Sequence, residues 1–113
     1  MTFNEYQDKA IKFDHKPGDR SITGIKFMAH VLGLVGESGE FADKIKKIYR
    51  NDNGEMSEDQ RKELLKELGD VLWYVNSLAS YLDSDLQSIA DINLRKLEDR
   101  LSRGVIASTG DNR

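Results

Sequence analysis

Two short acidic motifs stand out in the sequence, because each carries two carboxylates three residues apart. They are Glu37-Ser38-Gly39-Glu40 and Glu67-Leu68-Gly69-Asp70. Residues three apart share one face of a helix, so each motif presents its two carboxylates side by side. Like charges held this close repel one another unless a cation neutralises them. Two facing pairs would therefore form a cation site made of four carboxylates.

The donor set of such a site favours a hard divalent cation. Di-iron helical bundles combine carboxylates with Glu-x-x-His motifs, and neither His15 nor His30 has a glutamate three residues before it. Carboxylate oxygens alone suit Mg²⁺, with Mn²⁺ as a substitute, and Mg²⁺ often holds substrate phosphates on its open side. We therefore expect a magnesium site, with His30 as a packing residue. The alternative is ordinary solvated surface charge.

A polar stripe on the last predicted helix could bind phosphate. Its members are Asn93, Lys96, Arg100 and Arg103. Lys96 and Arg100 could hold a phosphate chain, since arginine offers a planar fork and lysine a point charge. Asn93 falls among apolar residues, so we expect it to point inward and to need a partner. The alternative is an outer face whose cations pair with Glu98 and Asp99.

The elements that must position these residues are predicted to be helices. Capping boxes that begin at Thr2, Ser57 and Ser84 mark helix starts. The predicted helices span about residues 3–14, 24–50, 58–82 and 85–103, with a polar loop at 15–24. Short connections favour antiparallel neighbours. The fold class is therefore an all-α antiparallel bundle of about four helices.

Apolar spacing identifies the faces that these helices bury. The stripe on the third helix comprises Leu64, Leu68, Val71, Leu72, Val75, Leu78, Ala79 and Leu82. The second helix is apolar over a wider arc, which indicates more than one neighbour. Four glycines fall inside these helices, at positions 33, 36, 39 and 69. They predict a close approach of backbones or of a phosphate, and relief of crowding is the alternative.

Bulk properties bound the remaining possibilities. The 113 residues suit a single domain over 1–113, whose last residues, 104–113, form an irregular tail. A net charge of −3 argues against a nucleic-acid or membrane binder. The chain has no cysteine and no evident signal peptide, so we expect a cytoplasmic protein. Its lean composition favours self-association.

The motifs together resemble those of the MazG-type nucleoside triphosphate pyrophosphohydrolases, within the all-α NTP pyrophosphatase superfamily. Three segments carry the resemblance: Leu32-Gly-Leu-Val-Gly-Glu-Ser-Gly-Glu40, Lys66-Glu-Leu-Gly-Asp-Val-Leu-Trp-Tyr74 and Asn93-Leu-Arg-Lys96-Leu-Glu-Asp-Arg100. The resemblance implies an enzyme that splits a nucleoside triphosphate into monophosphate and pyrophosphate, often as house-cleaning of the nucleotide pool. It also implies a homo-oligomer, either a tetramer or a dimer.

The resemblance further implies roles for individual residues. The Mg²⁺ ligands and catalytic residues would be Glu37, Glu40, Glu67 and Asp70. Lys96 and Arg100 would hold the triphosphate, and Tyr74 and Asn93 would line the pocket. No base-recognition residue carries over; Trp73 could stack on a base, although core or interface packing is favoured. The alternative function is a non-enzymatic helical interaction module.

Overall fold

The described part of the protein consists of four helices. The structure, a computed structural model, describes residues 1–14 and 20–104 and contains α1 (Phe3–Ala10), α2 (Ile25–Asp52), α3 (Glu58–Tyr81) and α4 (Leu86–Ser102). A 3₁₀ turn, Ile11–Phe13, extends α1. These two ranges contain no strand, which confirms the all-α prediction for them. The predicted tail lies outside the described residues, apart from Gly104.

Side-chain caps explain where three of the helices begin. The predicted capping boxes at Thr2 and Ser57 are present. The box expected at Ser84 is wrong, because the Asp85 carboxylate accepts the Ser88 backbone N–H at 2.7 Å and caps α4 instead. A carboxylate is the better cap here, since its charge complements the positive end of the helix dipole.

The packing of α2 on α3 is the largest helix contact in the described fold. Asn53 ends α2 in the left-handed conformation, with φ 55°, which asparagine tolerates better than most residues. The short connection over residues 53–57 then returns the chain, so α3 packs antiparallel to α2. Both α1 and α4 pack against α3 and against each other.

The predicted apolar faces are only partly buried. Leu64 of α3 and Ile48 of α2 are buried as predicted, whereas Leu68 of α3 and Leu82, which directly follows α3, are exposed. The prediction fails for these two leucines because no other described helix covers that side of α3. No helix in the described ranges is both long and apolar enough to span a membrane.

The ring of Tyr74 packs directly on the backbone of α2 at Gly33. A Cβ atom at Gly33 would overlap this ring. A Cβ at Gly36, Gly39 or Gly69 would meet nothing within 4 Å in the described part of the chain. The predicted close approach of helices is therefore confirmed at Gly33 and is not found at the other three positions within that part, where an approach of a phosphate stays a prediction.

Replacing single glycines of α2 tests this contact. We expect Gly33→Ala to lower the free energy of unfolding by about 1–3 kcal/mol, because the Tyr74 ring must move aside. The matched control, Gly36→Ala, should raise it by up to about 1 kcal/mol, because alanine is the better helix former. Urea denaturation measures both values. Equal effects of the two substitutions would contradict the close contact.

Candidate metal centre

Three carboxylates converge where α2 packs on α3. Glu37 of α2 and Glu67 and Asp70 of α3 each offer an oxygen, and these atoms all lie within 4.8 Å of one another. Opposite ligands of an octahedral Mg²⁺ ion lie about 4.2 Å apart, since each Mg–O bond is about 2.1 Å. The three side chains therefore fit a single hard cation after small rotations. We call them the acidic group.

Glu40, the fourth predicted ligand, lies outside the acidic group. Its side chain is exposed on α2, whereas that of Glu37 is half-buried. Residues three apart on a helix differ by roughly 60° in direction. Because Glu37 faces α3, Glu40 is turned toward solvent at the edge of the same face. The structure thus brings together three of the four predicted carboxylates.

The crowding of negative charge alters the acidity of Glu37. Its partial burial, and next the charge of Asp70, raise the pKa of Glu37, and its contact with Glu67 raises it further. A raised pKa is expected for a carboxyl group that must ionise beside other carboxylates. A divalent cation at the acidic group would remove this repulsion.

Lys44 provides positive charge at the edge of the acidic group. Its Nζ lies 2.7 Å from a carboxylate oxygen of Glu67 and 3.7 Å from one of Glu63. The hydrogen bond to Glu67 is the main cause that raises the pKa of Lys44. Lys44 is not among the predicted site residues, although it follows Glu37 by seven residues and so lies on the same face of α2. The seven-residue spacing from Glu37 therefore indicated that Lys44 lies near the acidic group.

Two tyrosines lie beside the acidic group. Tyr74 follows Asp70 by one turn of α3, and its ring makes edge contacts with His30 at 5.9 Å and Trp73 at 5.1 Å between centroids. Burial, and next the charge of Asp70, raise the pKa of Tyr6 in α1. Tyr74 is one of the predicted site residues. No sequence pattern indicated Tyr6, because α1 reaches the site only through tertiary packing.

The predicted phosphate-binding residues of α4 occupy different environments. Arg100 is 9% exposed and Lys96 is half-buried, so the alternative of a solvated outer face is wrong for Arg100. Arg103 does lie on an outer face, where it pairs with Asp99 at 2.7 Å. Asn93 is exposed rather than inward. It stays open because α1 and α3, the helices packed on α4, leave the middle of α4 uncovered.

Comparisons with known proteins bear on the family resemblance. A family model described as the MazG nucleotide pyrophosphohydrolase domain matches residues 26–104. The chain is also similar to the Gene 37 protein of Mycobacterium phage L5, with 48% identity over 114 residues and coverage of 100% of both chains. No solved structure gave a significant match. The matched region includes both acidic motifs and the polar residues of α4, which confirms the resemblance drawn from them.

The raised pKa of Glu37 predicts how stability depends on pH without metal. Folding raises this pKa, so the contribution of Glu37 is fully present in acid and is lost as the pH rises through the raised value. Glu37→Gln mimics the protonated form. We therefore expect the variant to be more stable than the parent protein at neutral pH, and equally stable at about pH 4. Urea denaturation in a chelator measures both differences.

A matched control separates this effect from general charge removal. Glu55 is exposed in the connection between α2 and α3, and Glu55→Gln should leave stability unchanged at both pH values. Other carboxyl groups, such as Asp43 and Glu58, have lowered pKa values and shift stability in the opposite direction. Asp43 and Glu58 are present in both proteins, so their effect on stability cancels when the variant is compared with the parent. A Glu37→Gln protein less stable than its parent at neutral pH would contradict the repulsion.

Proposed function

The chain belongs to the MazG nucleotide pyrophosphohydrolase family, and we propose that it hydrolyses nucleoside triphosphates to monophosphates and pyrophosphate with Mg²⁺ as cofactor. The observation that carries the proposal is the convergence of Glu37, Glu67 and Asp70 within 4.8 Å. An interaction module would gain nothing from carboxylates held together against repulsion. Sanitation of the cytoplasmic nucleotide pool stays a prediction.

The carboxylates have distinct proposed roles. The acidic group would hold Mg²⁺, which when bound neutralises phosphate charge and orients the phosphate chain. Lys44 keeps the Glu67 carboxylate in place through their 2.7 Å contact. Glu40 is exposed beside the acidic group, where its carboxylate can accept a proton from a water molecule. We propose Glu40 as the general base, whereas the family resemblance implies it as a fourth Mg²⁺ ligand.

The proposed reaction balances without a covalent intermediate. The water oxygen attacks a phosphorus atom as its proton passes to a carboxylate oxygen of Glu40. The anhydride bond between the α and β phosphates breaks: attack at the α phosphorus expels pyrophosphate, and attack at the β phosphorus expels the monophosphate. Lys96 and Arg100 are proposed to hold the triphosphate, and Tyr74 and Asn93 to line the nucleotide pocket, as the resemblance implies.

Two conservative substitutions test the activity and the roles together. Pyrophosphate release is measured over a panel of ribo- and deoxyribonucleoside triphosphates with Mg²⁺ and with Mn²⁺, and Mn²⁺ affinity is measured by calorimetry. We expect Asp70→Asn to lose turnover and at least about tenfold in Mn²⁺ affinity. We expect Glu40→Gln to lose about 10²–10⁴-fold in turnover while Mn²⁺ affinity is retained.

The outcomes of this experiment are distinct. No turnover of any nucleotide with either metal would falsify the proposed activity and favour the interaction module. An equal loss of Mn²⁺ affinity in Glu40→Gln and Asp70→Asn would make Glu40 a ligand rather than the base. Glu55→Gln serves as the control, because it removes an exposed carboxylate distant from both motifs in sequence.

We further propose that the protein is a homo-oligomer, a dimer or a tetramer. An uncovered apolar stripe follows helical spacing along α2, and its members are between 52% and 87% exposed. They are Ile25, Met28, Leu32 and Val35. Few apolar residues are buried among the described residues: Ala10, Ile48, Leu64, Ala79, Tyr81 and Leu86. Burial of the stripe against a second copy would supply apolar area that this small core lacks.

A charge placed in the stripe tests the assembly. We expect Leu32→Glu to reduce the mass measured by sedimentation equilibrium, because burying an unpaired carboxylate in an apolar contact is unfavourable. Leu101→Glu makes the same change at an exposed leucine of α4 and should leave the mass unchanged. A parent protein that is monomeric at every concentration tested would exclude the assembly.

A further inference from the structure

A pocket lies next to the acidic group, between the end of the α1 segment, the first half of α2 and the middle of α3. Its volume is about 550 Å³, within the range of about 300–1,000 Å³ that small-molecule sites occupy. The pocket is lined by Phe13, Asp14, Ile25, Lys26, Ala29, His30, Trp73 and Tyr74.

The pocket and the acidic group adjoin along the same two helices. Tyr74 lines the pocket and follows Asp70 by one turn of α3, and His30 lines the pocket and precedes Glu37 by two turns of α2. A helix rises about 5.4 Å per turn. A nucleotide with its phosphates at the acidic group would therefore have its base within reach of the pocket.

One side of the pocket is an aromatic wall. The rings of His30 and Trp73 stack with an interplanar angle of 23° and 5.8 Å between centroids. Tyr74 meets both rings edge-on, and Phe13 is exposed at the rim. Bases stack on such rings with a contribution of about 1–3 kcal/mol each, and stacking tolerates every base because each has a flat face.

Asp14 brings a buried acceptor to the pocket. Its side chain is 8% exposed, and its Oδ2 lies 3.5 Å both from His30 Nε2 and from Arg20 Nη1. These distances are long for hydrogen bonds, and a carboxylate offers about four acceptor positions. His30 Nδ1 lies 2.7 Å from the Lys26 carbonyl oxygen, so Nδ1 must carry a hydrogen. Because both contacts of Asp14 are long and acceptor positions of its carboxylate are left over, the carboxylate can accept a further, shorter hydrogen bond.

We propose that this pocket holds the base of the substrate, with Trp73 and Tyr74 as its wall and Asp14 as the acceptor for an exocyclic amino group. The inference rests on the proposed hydrolysis of nucleotides, which places the phosphates at the acidic group. Adenine, cytosine and guanine carry such an amino group. Thymine and uracil carry no amino group, and their one donor on that edge, the N3–H, lies between two carbonyl oxygens that a carboxylate repels. The enzyme therefore selects amino-bearing bases.

Trp73 provides a direct readout of binding, because it is the single tryptophan of the chain. Its fluorescence is followed while the four deoxynucleoside 5′-monophosphates are added without metal. We expect the tightest of dAMP, dCMP and dGMP to bind at least about tenfold more tightly than dTMP. Binding of dTMP as tight as that of all three would overturn the selection of amino-bearing bases.

Filling the pocket tests its location. Ala29 is exposed and lines the pocket, whereas Ala42 is exposed on the same helix outside it. We expect Ala29→Leu to weaken monophosphate binding at least about tenfold, since the added carbons occupy the space of the base. Ala42→Leu should bind as the parent does. Unchanged binding by Ala29→Leu would overturn the proposed location.

The role of Asp14 is tested through the order of preference rather than through affinity alone. Asp14→Asn introduces an amide that can donate to a carbonyl oxygen, so we expect the preference to shift toward dTMP by about tenfold. Asp8→Asn, at an exposed position of α1, should leave the order unchanged. An unchanged order in Asp14→Asn would remove Asp14 from base recognition, because a merely structural role would weaken all four nucleotides alike.

The same variants distinguish a failure of this inference from a failure of the proposed function. If the parent protein hydrolyses triphosphates and Ala29→Leu keeps the KM of the parent, the pocket assignment fails alone. If no triphosphate is hydrolysed while monophosphates still alter Trp73 fluorescence in an Ala29-dependent way, the pocket assignment holds and the hydrolase proposal fails.

Discussion

The contact between the Tyr74 ring and the α2 backbone at Gly33 sets the distance between the two longest helices. Gly33 precedes Glu37 by one turn, and Tyr74 follows Asp70 by one turn, so this contact lies directly beside the acidic group. A larger residue at position 33 would displace the ring, which lies one turn from Asp70 and lines the pocket. The positions of the carboxylates and of the aromatic wall both depend on this close approach.

The close approach has an electrostatic consequence. Three carboxylates gather at one point of the contact, and Lys44 offsets the charge of only one of them directly, Glu67. Burial, and next the charge of Asp70, raise the pKa of Glu37. Helix packing thus holds charges in an arrangement that they would not adopt alone, which is the physical condition for a strong cation site.

Many large apolar side chains of the described residues are exposed. The most deeply buried side chains are polar, which hydrophobicity alone does not predict. Asn76 and Ser77 of α3 are 0% exposed, whereas Leu68 of the same helix is exposed. The apolar period of α3 correctly predicts a helix. The direction of its buried side depended on where α1, α2 and α4 pack, and a periodic pattern does not contain that information.

The sequence by itself determined the helical class, the approximate limits of the four helices and the pairing of carboxylates within each motif. These features depend on interactions between residues three or four apart, which the order of residues contains directly. Only the tertiary structure decided that Glu37, Glu67 and Asp70 meet while Glu40 does not, that Lys44 contacts Glu67, and that Asp14 and Trp73 share a pocket. Those relations depend on the rotation of each helix about its axis and on the distance between helices, which are set by packing rather than by local spacing.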